Sequence, residues 1–437
     1  MSTSNHTQNS LTKQIILLAF PIILENLLQA LLGTVDTWFA GQLNDTAIAA
    51  IGATTLIVNL FLAFYTAISV GTSAVISRFV GEKNYEKANL AAGQSVLLSL
   101  FLGLFVGIVA FLFQDQILTI CGAENAVLVA AKPYYRIVAV PSVFVCLTLV
   151  LSSCLRASKD TVTPMIVSGA SNILNIILDA LFLHMGFGIA GLALATTMAR
   201  IMSSLALFLK LFQKNSQKDI AFDEVDTLTS QISTNINKSS TQSVFLTLDC
   251  FAPNRDLLCT ITKISIPAGI ERLIMRGGQL IYNGFIFSIS TNAYVAHQVA
   301  GTIEYYSYIP AFGFSAAAST LVGISLGEKN TQKAKEITWR TWLCANAIMI
   351  PIAFFQPVIA FSNVFAGALQ GAGDTKYPMY ATFFGTWVVH IGLGYLLGVK
   401  LGLGLFGIWI GYALNNAVRS VLLYIRFKSE RWSSIDL

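Results

Sequence analysis

The sequence predicts an all-α integral membrane protein of two six-helix bundles related by a parallel repeat, with the second bundle shortened to leave 11–12 spans. Three observations carry that prediction. Apolar residues fill 55% of the 437 positions and charged residues only 11%, against about 25% charged in an ordinary soluble domain; mean hydropathy is +0.67. Apolar runs recur at the length of a bilayer crossing, roughly 20 residues. The chain also carries one pattern twice, in the same orientation.

In chain order, a polar stretch of ten residues leads into a run too long for a cleavable signal, so 15–38 reads as a retained first span. Further runs lie at 47–77, 92–114, 134–155, 162–184, 187–210, 261–289, 293–324, 341–355, 378–398 and 401–425. Continuous runs of this kind argue helices, because a membrane barrel alternates weakly over about ten residues. A twelfth run, 357–370, is too short to cross alone. Lys and Arg gather in 78–87, 155–160, 328–340 and after 426, while 40–46, 185–187 and 290–293 hold none; Lys132, Arg136 and Lys400 are the exceptions. The positive-inside bias puts both termini in the cytoplasm, with a bacterial inner membrane as the expected location.

GTSAVISRFVGEKNYEKA at 71–88 matches AASTLVGISLGEKNTQKA at 317–334, a shift of 246 that also carries Pro21 to Pro267 and Glu25 to Glu271. LRASKDTVTPM at 155–165 matches LQGAGDTKYPM at 369–379 with a shift of 214. The order of landmarks predicts a first bundle at 1–212, a polar cytoplasmic linker at 213–260 and a second bundle at 261–437. The change of shift means that the second half lacks 32 residues between Ala334 and Leu369. The hairpin there, 341–370, is interrupted by Pro351 and Pro357, and each of its apolar runs makes about 21 Å of helix against a core of ~30 Å. Two short tilted or re-entrant helices, or a deletion that damages the bundle, both fit. The apolar stretch VFLTLDCF at 244–251 is read as lying on the membrane surface.

Composition also excludes classes of function. A net charge of +5, dispersed along the chain, does not suit nucleic acid. The six cysteines form no CxxC and have no histidine at metal spacing. No HExxH, GxSxG or Walker A lysine motif is present, which argues against an enzyme and against direct coupling to ATP.

A carboxylate inside a span costs roughly 2.5–3.5 kcal/mol on insertion scales and asks for a reason. Glu25, Gln29, Leu32 and Asp36 fall on one face of the first span at i, i+4, i+7 and i+11; Ser168, Asn172, Asn175 and Asp179 repeat that spacing on the fifth. Two polar stripes thus end in aspartates at similar depth, a chemistry that holds a proton or coordinates a hard cation such as Na⁺ at Asp36, Asn175 and Asp179. The repeat carries Asp36 to Tyr282, Asn175 to Val389 and Asp179 to Leu393. Acids kept in one half only point to a coupling site in the first bundle rather than to scaffolding. Helix capping for Asp36 and pairing with a neighbour for Asp179 are the structural alternatives. Glu25 and Glu271, being repeat-equivalent, read as structural, and Arg272, Arg276 and Glu304 as an ion pair within the second bundle. Pro21, fifteen residues before Asp36, is the expected hinge of the first span. Gln29, Asn172, Tyr282 and Tyr305 are candidate lining residues of a substrate cavity.

VDTWFAGQL at 35–43, GEKN in both halves, SNILNIILD at 171–179, IPAGIERL at 266–273 and GALQGAGDTKYPM at 367–379 resemble the multidrug and toxic compound extrusion (MATE) family over nearly the whole chain. The resemblance implies two lobes around a central cavity that opens alternately to each side. It also implies export of small, often cationic, organic compounds against entry of H⁺ or Na⁺, with no other cofactor, by a monomer in the bilayer. Within the family the chain is more similar to DinF-type than to NorM-type members, because Met275 stands where the NorM type has a carboxylate. DinF-type relatives imply cation coupling at Asp36, Asn175, Asp179 and Thr196, with Thr197 a rival for the last. A flippase for lipid-linked precursors and a transport-inactive shortened homologue are the competing readings.

Overall fold

The computed structural model describes residues 2–43, 45–121, 125–212, 244–351 and 356–435. The first bundle comprises α1 (Ser2–Gly41), α2 (Asp45–Gly81), α3 (Tyr85–Leu112), a short α4 (Gln114–Ile120), α5 (Asn125–Ala139), α6 (Ser142–Ala157), α7 (Val162–His184) and α8 (Gly188–Phe212). The second comprises α9 (Arg255–Ile289), α10 (Thr291–Gly327), α11 (Thr331–Met349), α12 (Gln356–Gly371), α13 (Lys376–Phe383) and α14 (Gly404–Lys428). Beyond α13 the chain stays helical with the wider π pattern, over Phe384–Leu393 and Leu396–Lys400. Among the described residues seven helices are long and apolar enough to cross a membrane, and α5 with α6, bent by 42°, add an eighth if the pair is one span. Leu17, Phe20, Phe101, Leu104, Ile173 and Phe406 are exposed, as side chains facing lipid would be.

The repeat survives in backbone detail. A shift of 246 maps α2 onto α10 and starts α3 where α11 starts; a shift of 214 maps α6 onto α12. Lys83 and Lys329 both adopt positive φ, 59° and 58°, in the GEKN turns. Asn84 and Asn330 then cap the next helix by accepting from the Lys87 and Lys333 amides. Four basic segments lie at one end of the molecule, called here the basic end.

The two short helices of the second bundle both form. α11 has 19 residues and α12 has 16, about 28 and 24 Å at 1.5 Å per residue, longer than the apolar runs alone suggest because polar residues from Thr331 extend α11. What the second half lacks is the portion of α3 beyond Gly103, all of α4 and α5, and the loops between them. The hairpin therefore reaches from the basic end but stops short of the far end.

The linker differs from its sequence reading at its C-terminal end. Residues 213–243, most of the expected linker, lie outside the described residues. Residues 244–254 are fastened to α3: Gln94 Nε2 donates to the carbonyls of Cys250 (2.9 Å) and Ala252 (2.8 Å), and its Oε1 accepts from Asn254 N. Asn89 Oδ1 accepts from Phe245 N. Val244, Leu246 and Cys250 are buried. The stretch 244–251 packs on α3 through Val244, Leu246 and Cys250 while Leu248 stays exposed, and 255–260 already belongs to α9.

The bundles meet where α2 crosses α10, and α1 also packs on α10. Repeat-equivalent residues touch there. A Cβ at Gly327 would lie 2.1 Å from Arg78 O and 2.9 Å from Gly81 Cα, and one at Gly323 would meet Ser77 Oγ at 2.0 Å. The basic end is thus shut by backbone contact that only glycine permits. Gly327→Val is expected to pry this end apart; a membrane-impermeant thiol reagent applied from that side should then label a cysteine placed at Ser77 faster, and an unchanged rate would show that the contact is not a seal.

Candidate functional site

α7 packs on α1 and α8, and this brings three of the sequence-predicted coupling residues together around a fourth. In the amide orientation that the hydrogen-bond network dictates, Asn175 Nδ2 donates to Asp36 Oδ1 at 3.2 Å and to Asp179 Oδ2 at 3.3 Å, and Asn175 Oδ1 accepts from Thr196 N at 3.0 Å. Asn175 and Asp179 are each 1% exposed. The stripe spacing on α1 and α7 is what aims both aspartates into one helix interface. Thr196 enters through its backbone; its hydroxyl donates to Leu192 O, while Thr197 Oγ1 donates to Ile137 O at 2.7 Å. Thr196 rather than Thr197 therefore meets Asn175.

The centre is incompletely paired. Asp179 Oδ1 and Asn172 Nδ2 are buried without a hydrogen-bond partner among the described residues. Arg200 lies close enough to act electrostatically on Asp36 and Tyr134, yet its Nη1 is also buried without a partner. Arg200 is not among the sequence-predicted site residues; its position four residues after Thr196 on the same helix was the available signal. Two carboxylates joined by one amide, with a buried carboxylate oxygen left unpaired among the described residues, can accept a proton or a small hard cation. No group of three or more His, Cys, Asp and Glu side chains is assembled among the described residues, so a bound Na⁺ would draw on Asp36, Asn175 and Asp179 oxygens together with backbone carbonyls.

The other interior acids differ. Glu25 Oε2 accepts from Arg156 Nη1 at 3.0 Å. Glu271 accepts from Gln370 Nε2 (3.0 Å), Thr382 Oγ1 (3.0 Å) and Arg419 Nη2 (3.1 Å). Arg156 and Gln370 are themselves repeat-equivalent, so one scaffold contact is written in both halves. The expected ion pair among Arg272, Arg276 and Glu304 is not formed: Arg276 donates to Gln279 at 3.1 Å, and Glu304 accepts from the Tyr308 hydroxyl.

A cavity of about 550 Å³ opens between the bundles away from the basic end, lined by Ala30, Gly33, Thr34, Thr37 and Trp38 of α1 and by Thr302, Tyr305 and Tyr306 of α10. Thr34 Oγ1 and the Tyr306 hydroxyl span it at 3.1 Å. Tyr305 is the sequence-predicted lining residue found there. Gln29 is exposed one position before the lining, and Asn172 lies two turns before Asp179 on the same face of α7. Tyr282 is buried between His390 and His297, with ring centroids 4.3 and 5.1 Å away. Pro21 is buried inside an uninterrupted α1. The lining of α1 and the carboxylate of Asp36 thus share one helix segment, on different faces.

Comparison with known proteins agrees with this architecture. The MatE family model matches residues 21–181, 267–355 and 345–396, and its second-half match breaks at the shortened hairpin. A probable multidrug resistance protein NorM of Thermotoga maritima is 26% identical over 96% of this chain and 93% of its own length. That alignment runs over 457 positions, more than the 437 residues present here, so the relative carries segments that this chain lacks. The multidrug export protein MepA of Staphylococcus aureus is 30% identical over 61% of this chain and 54% of its own. Among solved structures, a MATE protein in complex with MaD3S superposes with a TM-score of 0.86 at 23% identity, covering 96% of both chains. An outward-facing MATE transporter gives 0.84 at 22%, again over 96% of both. With two thirds of its length matched by one family model, the chain belongs to the MatE family.

Proposed function

We propose that this protein is a secondary active exporter that exchanges H⁺ or Na⁺ for small, often cationic, organic molecules, with coupling in the first bundle as in DinF-type members. The observation that carries the proposal is the Asp36–Asn175–Asp179 centre: two interior carboxylates share one amide and retain an unpaired oxygen. A charge there is costly, so the centre favours an occupying cation. Arrival of that cation alters the hydrogen bonds that tie α1 to α7 and α8. Because α1 also lines the cavity, a change in its packing alters what the cavity sees.

The basic end is assigned to the cytoplasm of a bacterial inner membrane, on the distribution of Lys and Arg. The geometry then corresponds to an outward-open state, sealed at Gly81 and Gly327. Aromatic rings of Tyr305, Tyr306 and Trp38 suit a cationic substrate through cation–π contact. The shortened hairpin leaves this machinery whole, since every residue of the centre lies in the first bundle. The test is dye efflux from proteoliposomes under an imposed proton or sodium gradient. Efflux that follows one gradient and collapses with it is expected; dye retention under both gradients would remove the proposal.

Pro21 leaves α1 without one backbone hydrogen bond, fifteen residues from Asp36. Pro21→Ala is expected to slow gradient-driven efflux while equilibrium dye binding stays within about twofold of wild type, a change under about 0.5 kcal/mol. Equal rates in the two proteins would remove the hinge role.

A further inference from the structure

The second bundle holds a polar group of its own that the coupling scheme does not use. Glu304 lies thirteen residues into α10, at membrane depth. Its carboxylate accepts from the Tyr308 hydroxyl, which in turn accepts from the Tyr412 hydroxyl at 2.6 Å. The Tyr412 ring lies 5.3 Å from that of His390, and Tyr282 packs against His390 and His297. Trp409 Nε1 donates to His297 Nδ1 at 3.4 Å. His390 Nε2 is buried without a partner among the described residues. The titratable and charged groups that face Glu304 are therefore Tyr282 from α9, Tyr308 and His297 from α10, His390 from the π-helical stretch and Tyr412 from α14. Arg419, two turns further along α14, is committed to Glu271.

Three features set this group apart. Glu25 and Glu271 each have an arginine, whereas the only hydrogen-bond donor on the Glu304 carboxylate, among the described residues, is a phenol. An unpaired interior carboxylate is held by taking up a proton. Second, the group occupies the repeat counterpart of the first-bundle centre. Tyr282 is the equivalent of Asp36, and His390 stands one residue from Val389, the equivalent of Asn175. The π-helical stretch from Phe384 to Leu393 absorbs that one-residue offset, as single wide turns do at functional sites. The ring contact between Tyr282 and His390 then restates the Asp36–Asn175 contact in other residues. Third, the shortened hairpin begins at this level: Gln356, the first residue of α12, donates to Ser307 Oγ at 2.8 Å. Glu304 itself is only partly buried.

We infer that Glu304, with Tyr308, Tyr412 and His390, forms a second proton-binding centre in the second bundle. The ligand is a proton rather than a metal ion, because one carboxylate, three phenols and two imidazoles do not supply the several oxygen donors that a hard cation requires. In the transport cycle this inference rests on the exporter reading above, but its test does not. Infrared difference spectra of the purified protein in lipid nanodiscs, recorded across a pH titration, report each carboxylic-acid carbonyl directly. Glu304→Gln is expected to remove one titrating band that the Asp36→Asn/Asp179→Asn double variant retains, and Tyr308→Phe to move that band to higher frequency by removing its donor. Glu304→Asp, monodisperse and folded, should keep a titrating band. A set of titrating bands unchanged by Glu304→Gln would overturn the inference, and so would a Glu304 band that keeps its frequency in Tyr308→Phe. Loss of gradient-driven dye efflux with these bands intact would count against the exporter reading alone.

Discussion

Arg419→Ala is expected to lower stability by about 3–5 kcal/mol, the cost of leaving one member of a buried ion pair without its partner. Glu271, 2% exposed, would keep only Gln370 and Thr382 as donors. Thermal unfolding in a mild detergent, followed by tryptophan fluorescence, measures this. Replacing both members, as Glu271→Gln/Arg419→Met, should recover most of the loss, since an apolar or neutral pair of similar volume avoids the stranded charge. The corresponding change in the first bundle, Arg156→Ala, should cost less, because Arg156 is more solvated than Arg419, with 18% against 10% of its side chain exposed. Equal losses at the two sites would show that the second-bundle cluster has no special structural weight.

The second large effect concerns transport rather than folding. Asp179→Asn is expected to reduce gradient-driven efflux to the level of empty vesicles while the protein still reaches the membrane and still binds dye. The substitution keeps side-chain volume and the contact with Asn175 but removes the charge on the free Oδ1. Asp36→Asn should act in the same direction, and the double variant should be no worse than either alone, because residues that act as a unit are not additive. Additive losses would mean that the two acids serve separate steps.

Much of this was legible in the sequence because helices and repeats leave periodic marks. The i, i+4, i+7, i+11 stripes on 25–36 and 168–179 place their last residues on facing surfaces once α1 and α7 pack, which is how Asp36, Asn175 and Asp179 converge. The two repeat shifts carry helix boundaries and the left-handed turn residues Lys83 and Lys329 with them. Partner choice was less legible. Arg419 has Leu205 as its repeat equivalent, so no symmetry argument leads to Glu271, and the pairing is made across helices 148 residues apart. Glu304 and Tyr308 stand four apart, an i, i+4 signal on one face, but Arg272 and Arg276 offered a competing pairing that is not formed. The wide turns of 384–400 have no clear local signature beyond their glycines. Residues 244–254 show alternating burial of Val244 and Leu246 that points to an extended segment packed on protein, a pattern masked by the polar tract before it.

The central claim is that a cation on the Asp36–Asn175–Asp179 centre sets which side of the membrane the cavity faces. Its most direct test is a spin-label distance across the cleft, with cysteines at Trp38 and Thr302 in a variant free of other cysteines, measured with and without a saturating proton or sodium concentration. The distance distribution should shift with the cation in the otherwise wild-type protein and stay fixed when Asp36 and Asp179 are both asparagine. A shift of the same size in that double variant would contradict the account.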